Sequence, residues 1–220
     1  MPERQHFNRA LQELNQEIAK MGTLVEESLY KAIQAFEQKD VETAEQIIKD
    51  DVKINNCQQE IEDRCTVLIA TEQPVAKDLR RILTTLKIVS NLERIGDHAV
   101  HLARATKRLF KEKYLEAIIN MIPPMAEIGL GMVREVITAF ISNDSEKAIA
   151  IAKKDDELDK AHKKVFASLI KQMQSNPENV LQGADLLLVI RFMERLGDHV
   201  TNICEWIVFC DTGKHVELNR

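Results

Sequence analysis

A seven-residue segment that occurs twice decides how this chain folds: Leu92-Glu93-Arg94-Ile95-Gly96-Asp97-His98 and Met193-Glu194-Arg195-Leu196-Gly197-Asp198-His199. The second copy lies 101 residues after the first, and five of the seven positions are identical. Unrelated amphipathic helices share apolar spacing, but they do not share Glu, Arg, Gly, Asp and His at matching positions. The pair therefore predicts an internal duplication.

The duplication extends upstream of this segment. When residues 21–55 are shifted by 104 positions onto residues 125–159, ten of the 35 positions are identical, including Asp40 with Asp144 and Asp51 with Asp155. The two shifts differ by three residues, so a length difference falls between the two blocks. We therefore divide the chain into a first repeat at 1–115 and a second repeat at 116–220.

Each repeat has the composition and spacing of long amphipathic helices. Apolar residues recur every three or four positions, as at Leu11, Leu14 and Ile18. Helix formers dominate, while the chain has only 7 Gly and 5 Pro. The sequence predicts an all-α protein of two tandem three-helix bundles related by duplication, with six long helices.

Several residues predict where these helices begin. Asp40 and Asp144 are typical N-caps of the second helix in each repeat. Pro74 suits the first turn of the third helix, and Asn176-Pro177 suits the cap and first turn of the sixth.

Composition excludes several classes of protein. The formal charge is -5, and no segment concentrates Lys and Arg with aromatic residues, so we expect no nucleic-acid partner. The longest apolar stretch, Leu186–Ile190, is too short to span a bilayer, and the N-terminus lacks the apolar run of a signal peptide. We expect a cytoplasmic protein whose cysteines are core residues: Cys57, Cys65, Cys204 and Cys210.

Acidic residues occupy helix positions where apolar residues are expected. Glu93 and Asp97 are four residues apart and share a face that continues the line of Leu86 and Val89. The sixth helix repeats this arrangement. The second helix of each repeat carries a pair with the same spacing, with Asn55 replacing one acid of the first repeat.

Such carboxylates need a compensating interaction. Burial of an uncharged polar group without a hydrogen bond costs about 2–7 kcal/mol, and a partly buried unpaired charge also costs several kcal/mol. They could pair with Arg94, Arg195 or lysines, stay protonated, or bind cations. All-oxygen ligand sets favour hard or borderline metals.

The neighbouring residues have other expected roles. Gly96 and Gly197 lie in helix interiors, where glycine costs roughly 1 kcal/mol relative to alanine, which predicts close helix approach. His98 and His199 lie about 100° around the helix from the adjacent Asp, so we expect them in packing or at an interface. His101 is four residues after Asp97 and could be a ligand, but Asn202 replaces it in the second repeat.

At these residues the sequence resembles the PhoU family, the regulatory accessory proteins of bacterial phosphate-specific transport. The resemblance covers the whole chain. It rests on both copies of the Glu-Arg-x-Gly-Asp-His segment, on the duplication, and on two further groups: Met21 with Val25-Glu26, and Gln73-Pro74 with Asp78-Leu79-Arg80.

The resemblance implies a non-enzymatic negative regulator of phosphate uptake and of the phosphate-starvation response. It implies an adaptor that links the ATPase of the phosphate ABC transporter to a sensor histidine kinase, forms a homodimer, and associates peripherally with membrane complexes. Some family members bind multinuclear metal clusters through Asp/Glu-x-x-x-Asp motifs, and iron, manganese, zinc and magnesium are the candidate ions for this chain. Carried over here, the metal ligands are Asp51, Glu93, Asp97, Asp155, Asp159, Glu194 and Asp198. Asn55 makes the first site the weaker one.

Two alternatives stay open. The first is a carboxylate-bridged metalloenzyme, since helical bundles house di-iron sites. Such sites use Glu-x-x-His, whereas Gly96 and Gly197 stand at the expected histidine positions. The second is a metal-free helical interaction protein with a chaperone-like role.

Overall fold

The structure is a computed structural model that describes residues 2–109 and 115–218. These residues form eight helical segments and no β-strand. The segments are α1 (Pro2–Gln38), α2 (Val41–Glu72), α3 (Ala76–Leu109), α4 (Glu116–Ile119), α5 (Ile122–Ser142), α6 (Ser145–Ala152), α7 (Asp155–Ser175) and α8 (Asn179–Thr212). Helices α1 to α3 build the first unit. Helix α5, the α6–α7 pair and α8 build the second, so the prediction of two three-helix bundles is confirmed.

Equivalent turns join the first two helices of each unit. Lys39 and Asn143 both adopt a left-handed backbone, with φ of 59° and 52°. The next residues, Asp40 and Asp144, donate their N–H groups to carbonyls five residues back at 2.9 Å. Their carboxylates then accept N–H groups in the first turn of the following helix, as predicted.

Both prolines that were predicted to open helices instead precede them by two residues. Gln73 ends α2 in a left-handed conformation, and Ala76, where α3 begins, also has a positive φ. Pro74 therefore lies in the link between α2 and α3. Asn176 accepts the N–H of Glu178, but α8 begins only at Asn179.

The helix of the second unit that corresponds to α2 is interrupted at Lys153 and Lys154. There the Lys154 N–H bonds to Ile151 at 2.9 Å and the Glu157 N–H bonds to Lys154 at 2.9 Å, both with the tighter spacing of three residues. Asp155 begins α7 directly after this turn. Helix α2 has no such break beside Asp51.

Helices α3 and α8 pack side by side and antiparallel, joining the two units. The Asn91 Oδ1 and His199 Nδ1 atoms are 3.0 Å apart, and Arg108 pairs with Asp185 near the other end. This register places Gly96 near the level of Gly197. Buried apolar residues of both units form a continuous core around these two helices.

Gln182 of α8 fastens both ends of the connection between the units. Its amide accepts the N–H of Leu115 at 3.0 Å and donates to the carbonyl of Leu109 at 3.1 Å. Residues 110–114 lie outside the described ranges, so the boundary between 115 and 116 stays a prediction.

Two further expectations concern burial and membranes. All four cysteines are buried, as predicted for core residues. Within residues 2–109 and 115–218, no helix combines the length and the apolar character needed to cross a bilayer.

Candidate metal centre

The two interior glycines bring the acid-bearing helices together. A methyl group at Gly197 would overlap Asp155 Oδ1 and would lie 2.7 Å from Leu158 Cδ2. A methyl group at Gly96 would meet Ile54 Cδ1 at 3.1 Å, with Asp51 Oδ1 at 3.9 Å. The prediction of close helix approach is therefore confirmed in both units. In each unit an aspartate side chain lies beside the backbone of the glycine on the neighbouring helix.

In the second unit, the three other predicted acids lie near Asp155. This side chain is only 8% exposed, and its Oδ1 atom has no hydrogen-bond partner. Burial, followed by the charges of Asp198, Asp159 and Glu194, raises the pKa of Asp155 to about 7. Burial and then Asp198 also raise the pKa of Glu194, against the opposing effect of His162. The four acids predicted for this site are therefore close enough to interact electrostatically, with Glu194 and Asp198 lining one groove and Asp155 and Asp159 another.

In the first unit an arginine pairs with two of the matching acids, whereas in the second unit Lys163 pairs with Asp159 at 3.2 Å. Burial and then Asp97 raise the pKa of Asp51, while Asn55 opposes the shift by donating to Asp51 Oδ2 at 3.1 Å. Arg94 pairs with Asp97 at 3.0 Å and with Glu93 at 3.5 Å. Burial followed by Asp97 raises the pKa of Glu93, and Arg94 lowers it. Protein groups therefore already supply counter-charge here.

The arginine of the repeated segment behaves differently in the second unit. Arg195 and its neighbour Arg191 form no ion pair with any residue that the structure describes. Both line a groove of about 740 Å³ together with Glu194 and Asp198. His162 and three apolar side chains complete its walls: Phe166, Leu187 and Leu188.

The histidines of the repeated segment lie between the units. His98 is 4% exposed, and its ring lies 5.4 Å from that of His199. His101 stacks on Phe192 of α8 at 4.1 Å, which fixes its ring in the same interface. The interface role predicted for His98 and His199 is confirmed.

A family model, the PhoU domain, matches the chain twice, at residues 18–106 and 122–207. The chain belongs to the PhoU family. The two matches correspond to the two three-helix units, so the sequence duplication is a duplication of PhoU domains.

Relatives within the PhoU family match along nearly their whole length. A phosphate-specific transport system accessory protein PhoU homolog of Clostridium acetobutylicum is 41% identical, over 98% of this chain and 99% of the relative. A homolog from Streptococcus pneumoniae is 36% identical over 98% of this chain and all of the relative.

Solved PhoU structures share the fold. The phosphate transport system regulatory protein PhoU from Streptococcus pneumoniae superposes with a TM-score of 0.89 at 35% identity, covering 96% of this chain and 99% of that one. PhoU from Pseudomonas aeruginosa gives 0.90 at 30% identity, covering 94% and 100%.

The PhoU acids of the second unit fit a hard cation in their chemistry. They supply only carboxylate oxygens near one another, and the buried Asp155 Oδ1 lacks any partner that would satisfy it. In the described part of the chain, however, no three His, Cys, Asp or Glu side chains are already arranged to hold one ion. Binding would therefore require these side chains to change rotamer.

Sequence reasoning missed the groove beside these acids. Position 90 of the first unit, which corresponds to Arg191, is Ser, and Glu62 stands where the second unit has Phe166. Comparing the repeats for differences, rather than identities, could have found Arg191 and Phe166. The sequence could not predict that Arg94 forms ion pairs and Arg195 does not, because the two segments are identical at this residue.

Proposed function

We propose that the protein is a regulatory accessory protein that restrains phosphate uptake and represses the phosphate-starvation response when phosphate is abundant. The observation that carries this proposal is the presence of a PhoU domain in both units, with relatives that match over nearly their full length. Those relatives are named as accessory proteins of phosphate-specific transport, and none of these names describes an enzyme. We accordingly propose a non-enzymatic role.

In this proposal the protein is a helical adaptor at the cytoplasmic side of the membrane. It binds the ATPase of a phosphate ABC transporter and a sensor histidine kinase, and it acts as a homodimer. Exposed apolar side chains on the second unit support a role in protein contacts, because such patches often mark interaction sites: Phe166, Val180, Leu181 and Leu188.

The proposal includes a cation on the acidic residues. Asp155, Asp159, Glu194 and Asp198 would hold it in the second unit, and Asp51, Glu93 and Asp97 would offer a weaker position in the first. The candidate ions are iron, manganese, zinc and magnesium. A bound ion would supply positive charge that relieves the repulsion among these carboxylates and ties α7 to α8. The partnerless Asp155 Oδ1 supports the second unit as the stronger site.

Gene deletion tests the regulatory proposal. In a strain without a second PhoU-domain gene, we expect phosphate-responsive promoters to be expressed in rich phosphate, and the wild-type gene to restore repression. Normal repression after deletion would contradict the proposal.

Metal analysis of protein purified without an affinity tag tests the cation. We expect stoichiometric metal in the wild type and its loss in the double variant Glu194→Ala plus Asp198→Ala. The matched control is Glu93→Ala plus Asp97→Ala, which should keep most of the metal. Sub-stoichiometric metal that neither double variant changes would remove the cation from the proposal.

A further inference from the structure

The chain turns back on itself after α8. Gly213 ends this helix with a φ of 74°, in the left-handed region that favours glycine, and its N–H donates to the carbonyl of Phe209 at 2.8 Å. Five residues later, the N–H of Leu218 donates to Glu205 Oε1 at 2.8 Å. Because Glu205 lies about two helical turns before the end of α8, residues 213–218 run back along the helix that they follow.

An aromatic cluster holds the start of this segment against α8. The ring of His215 stacks on Phe209 with centroids 4.1 Å apart, and it meets the ring of Trp206 edge-on at 5.6 Å. Lys87 of α3 lies 5.7 Å from the centre of the Trp206 ring, so the cluster also reaches the first unit. These ring contacts give the returning segment a defined path.

The far end of the segment reaches the groove of Asp155. This groove of about 330 Å³ lies where α6 meets α7, and Glu217 and Leu218 line it together with Asp155, Asp156 and Asp159. Leu218 is half-buried and packs against the core. Asp155 is buried, whereas Asp156 in the same groove is exposed. The buried carboxylate therefore lies behind a wall that the returning segment helps to build.

The segment is held by few interactions. Apart from local bonds around Gly213, the bond from Leu218 to Glu205 is its one hydrogen bond to the described chain, and it forms no ion pair there. Only Val216 and Leu218 are half-buried, and the other residues of the segment are exposed. Segments with so few buried contacts open at a much lower free energy than the whole fold. This one can therefore leave the groove while the helices stay packed.

We propose that residues 213–218 form a strap that closes the groove of Asp155 and opens to admit solutes to this carboxylate. The inference goes beyond the proposed function and does not depend on the proposed cation, because it concerns only what covers the groove. A partner that binds the displaced strap would expose Asp155, since a ligand of the open state shifts the equilibrium towards that state. The strap thus couples the surface at the end of α8 to the interior of the second unit.

Carboxyl labelling of the metal-free protein tests the strap. A water-soluble carbodiimide couples glycine ethyl ester to accessible carboxyl groups, and peptide mass spectrometry gives the rate at each of them. We expect slow labelling of Asp155 in the wild type and a rate at least about threefold higher in a chain that stops at Thr212, because the groove is then uncovered. Glu205→Ala removes the acceptor of the Leu218 N–H and should raise the rate without shortening the chain.

The matched control is Lys214→Ala, which alters an exposed side chain of the strap and should label like the wild type. Asp51 reports on the first unit, and its rate should stay constant in every variant. Unchanged labelling of Asp155 in the shortened chain, or in Glu205→Ala if the shortened chain does not fold, would overturn the strap and leave α8 and α7 as the cover of Asp155. Equal increases at Asp155 and Asp51 would also overturn it, because they would report a loosening of the whole chain.

Discussion

The two units carry the same repeated segment, yet their acidic clusters differ in how charge is balanced. In the first unit, Arg94 and Asn55 satisfy the carboxylates from within the protein. In the second unit, Asp155 is buried with a partnerless oxygen, and Arg195 forms no ion pair with the described residues. The comparison teaches that a shared motif fixes where the acids lie, while the neighbouring residues set which of them the protein itself pairs, as Arg94 does in the first unit and Lys163 does for Asp159 in the second.

The largest expected difference between the units is the pH dependence of stability in metal-free protein. The folded protein keeps the Asp155 proton up to about pH 7, whereas an unfolded chain releases it near pH 4. The free energy of unfolding of the wild type should therefore fall as pH rises from about 4 to 7. With a chelator present, Asp155→Asn should abolish this loss, which amounts to about 2–4 kcal/mol above pH 7.

Urea denaturation at several pH values measures this effect. The matched variant is Asp51→Asn, for which we expect a smaller change because Asn55 and Arg104 oppose the rise in the pKa of Asp51. A difference between Asp155→Asn and wild type that stays constant from pH 4 to pH 8 would contradict the role assigned to Asp155.

The next largest expected difference between the units is their affinity for a cation. Asp155→Ala removes the most buried carboxylate of the second cluster, and we expect an affinity loss of about 100-fold, at the upper end of what supporting groups of metal sites cost. Asp51→Ala should change the affinity of the tighter site by less than about threefold, because it acts on the other unit. Isothermal titration with Mn²⁺ measures both. Equal losses would show that the two clusters act as one.

The glycines provide the third comparison. Gly197→Ala forces a methyl group against Asp155 Oδ1 and Leu158, so we expect a loss of about 1–2 kcal/mol even after the gain of roughly 1 kcal/mol in helix propensity. Gly96→Ala meets only Ile54 closely and should be near neutral. Thermal unfolding of the metal-free variants checks both values. A larger loss of stability in Gly96→Ala than in Gly197→Ala would contradict the inference that the helices are packed more tightly at Gly197.

The smallest expected effect is a gain of function in the first unit. Asn55→Asp combined with Arg94→Gln restores the missing acid and removes the internal counter-charge. We expect a second, weak Mn²⁺ binding event, about fivefold tighter than any first-unit binding in the wild type, which corresponds to about 1 kcal/mol. An unchanged stoichiometry would mean that the residues around the acids, beyond these two positions, set the difference.

Much of the fold follows from local patterns in the sequence. The duplication, the helix seams, the N-caps at Asp40 and Asp144 and the close approach at the glycines all depend on spacing and on residue size, and the structure confirms them. The starts of α3 and α8 were misplaced because the link before each helix uses extra residues. Gln73 and Ala76 both take positive φ, which no residue type there signals.

The candidate site was only partly predictable. An i,i+4 pair always shares a face, so the helix faces predicted which acids lie near one another, and these acids do raise one another's pKa values. The ion pairs of Arg94 with Glu93 and Asp97, and their absence at Arg195, could not be predicted because both segments place the same acids beside the arginine. The tighter turn at Lys153 and Lys154 could likewise not be predicted, because no Gly or Pro stands there.

The antiparallel pairing of α3 with α8 gives a single chain the internal symmetry of a two-subunit assembly. In an assembly of identical subunits, every substitution is imposed on both halves at once. Here each copy is encoded separately, so position 55 can carry Asn while the matching position 159 carries Asp. Fusion of the repeats thus allows the two halves to keep one fold while the residues around their acidic clusters differ.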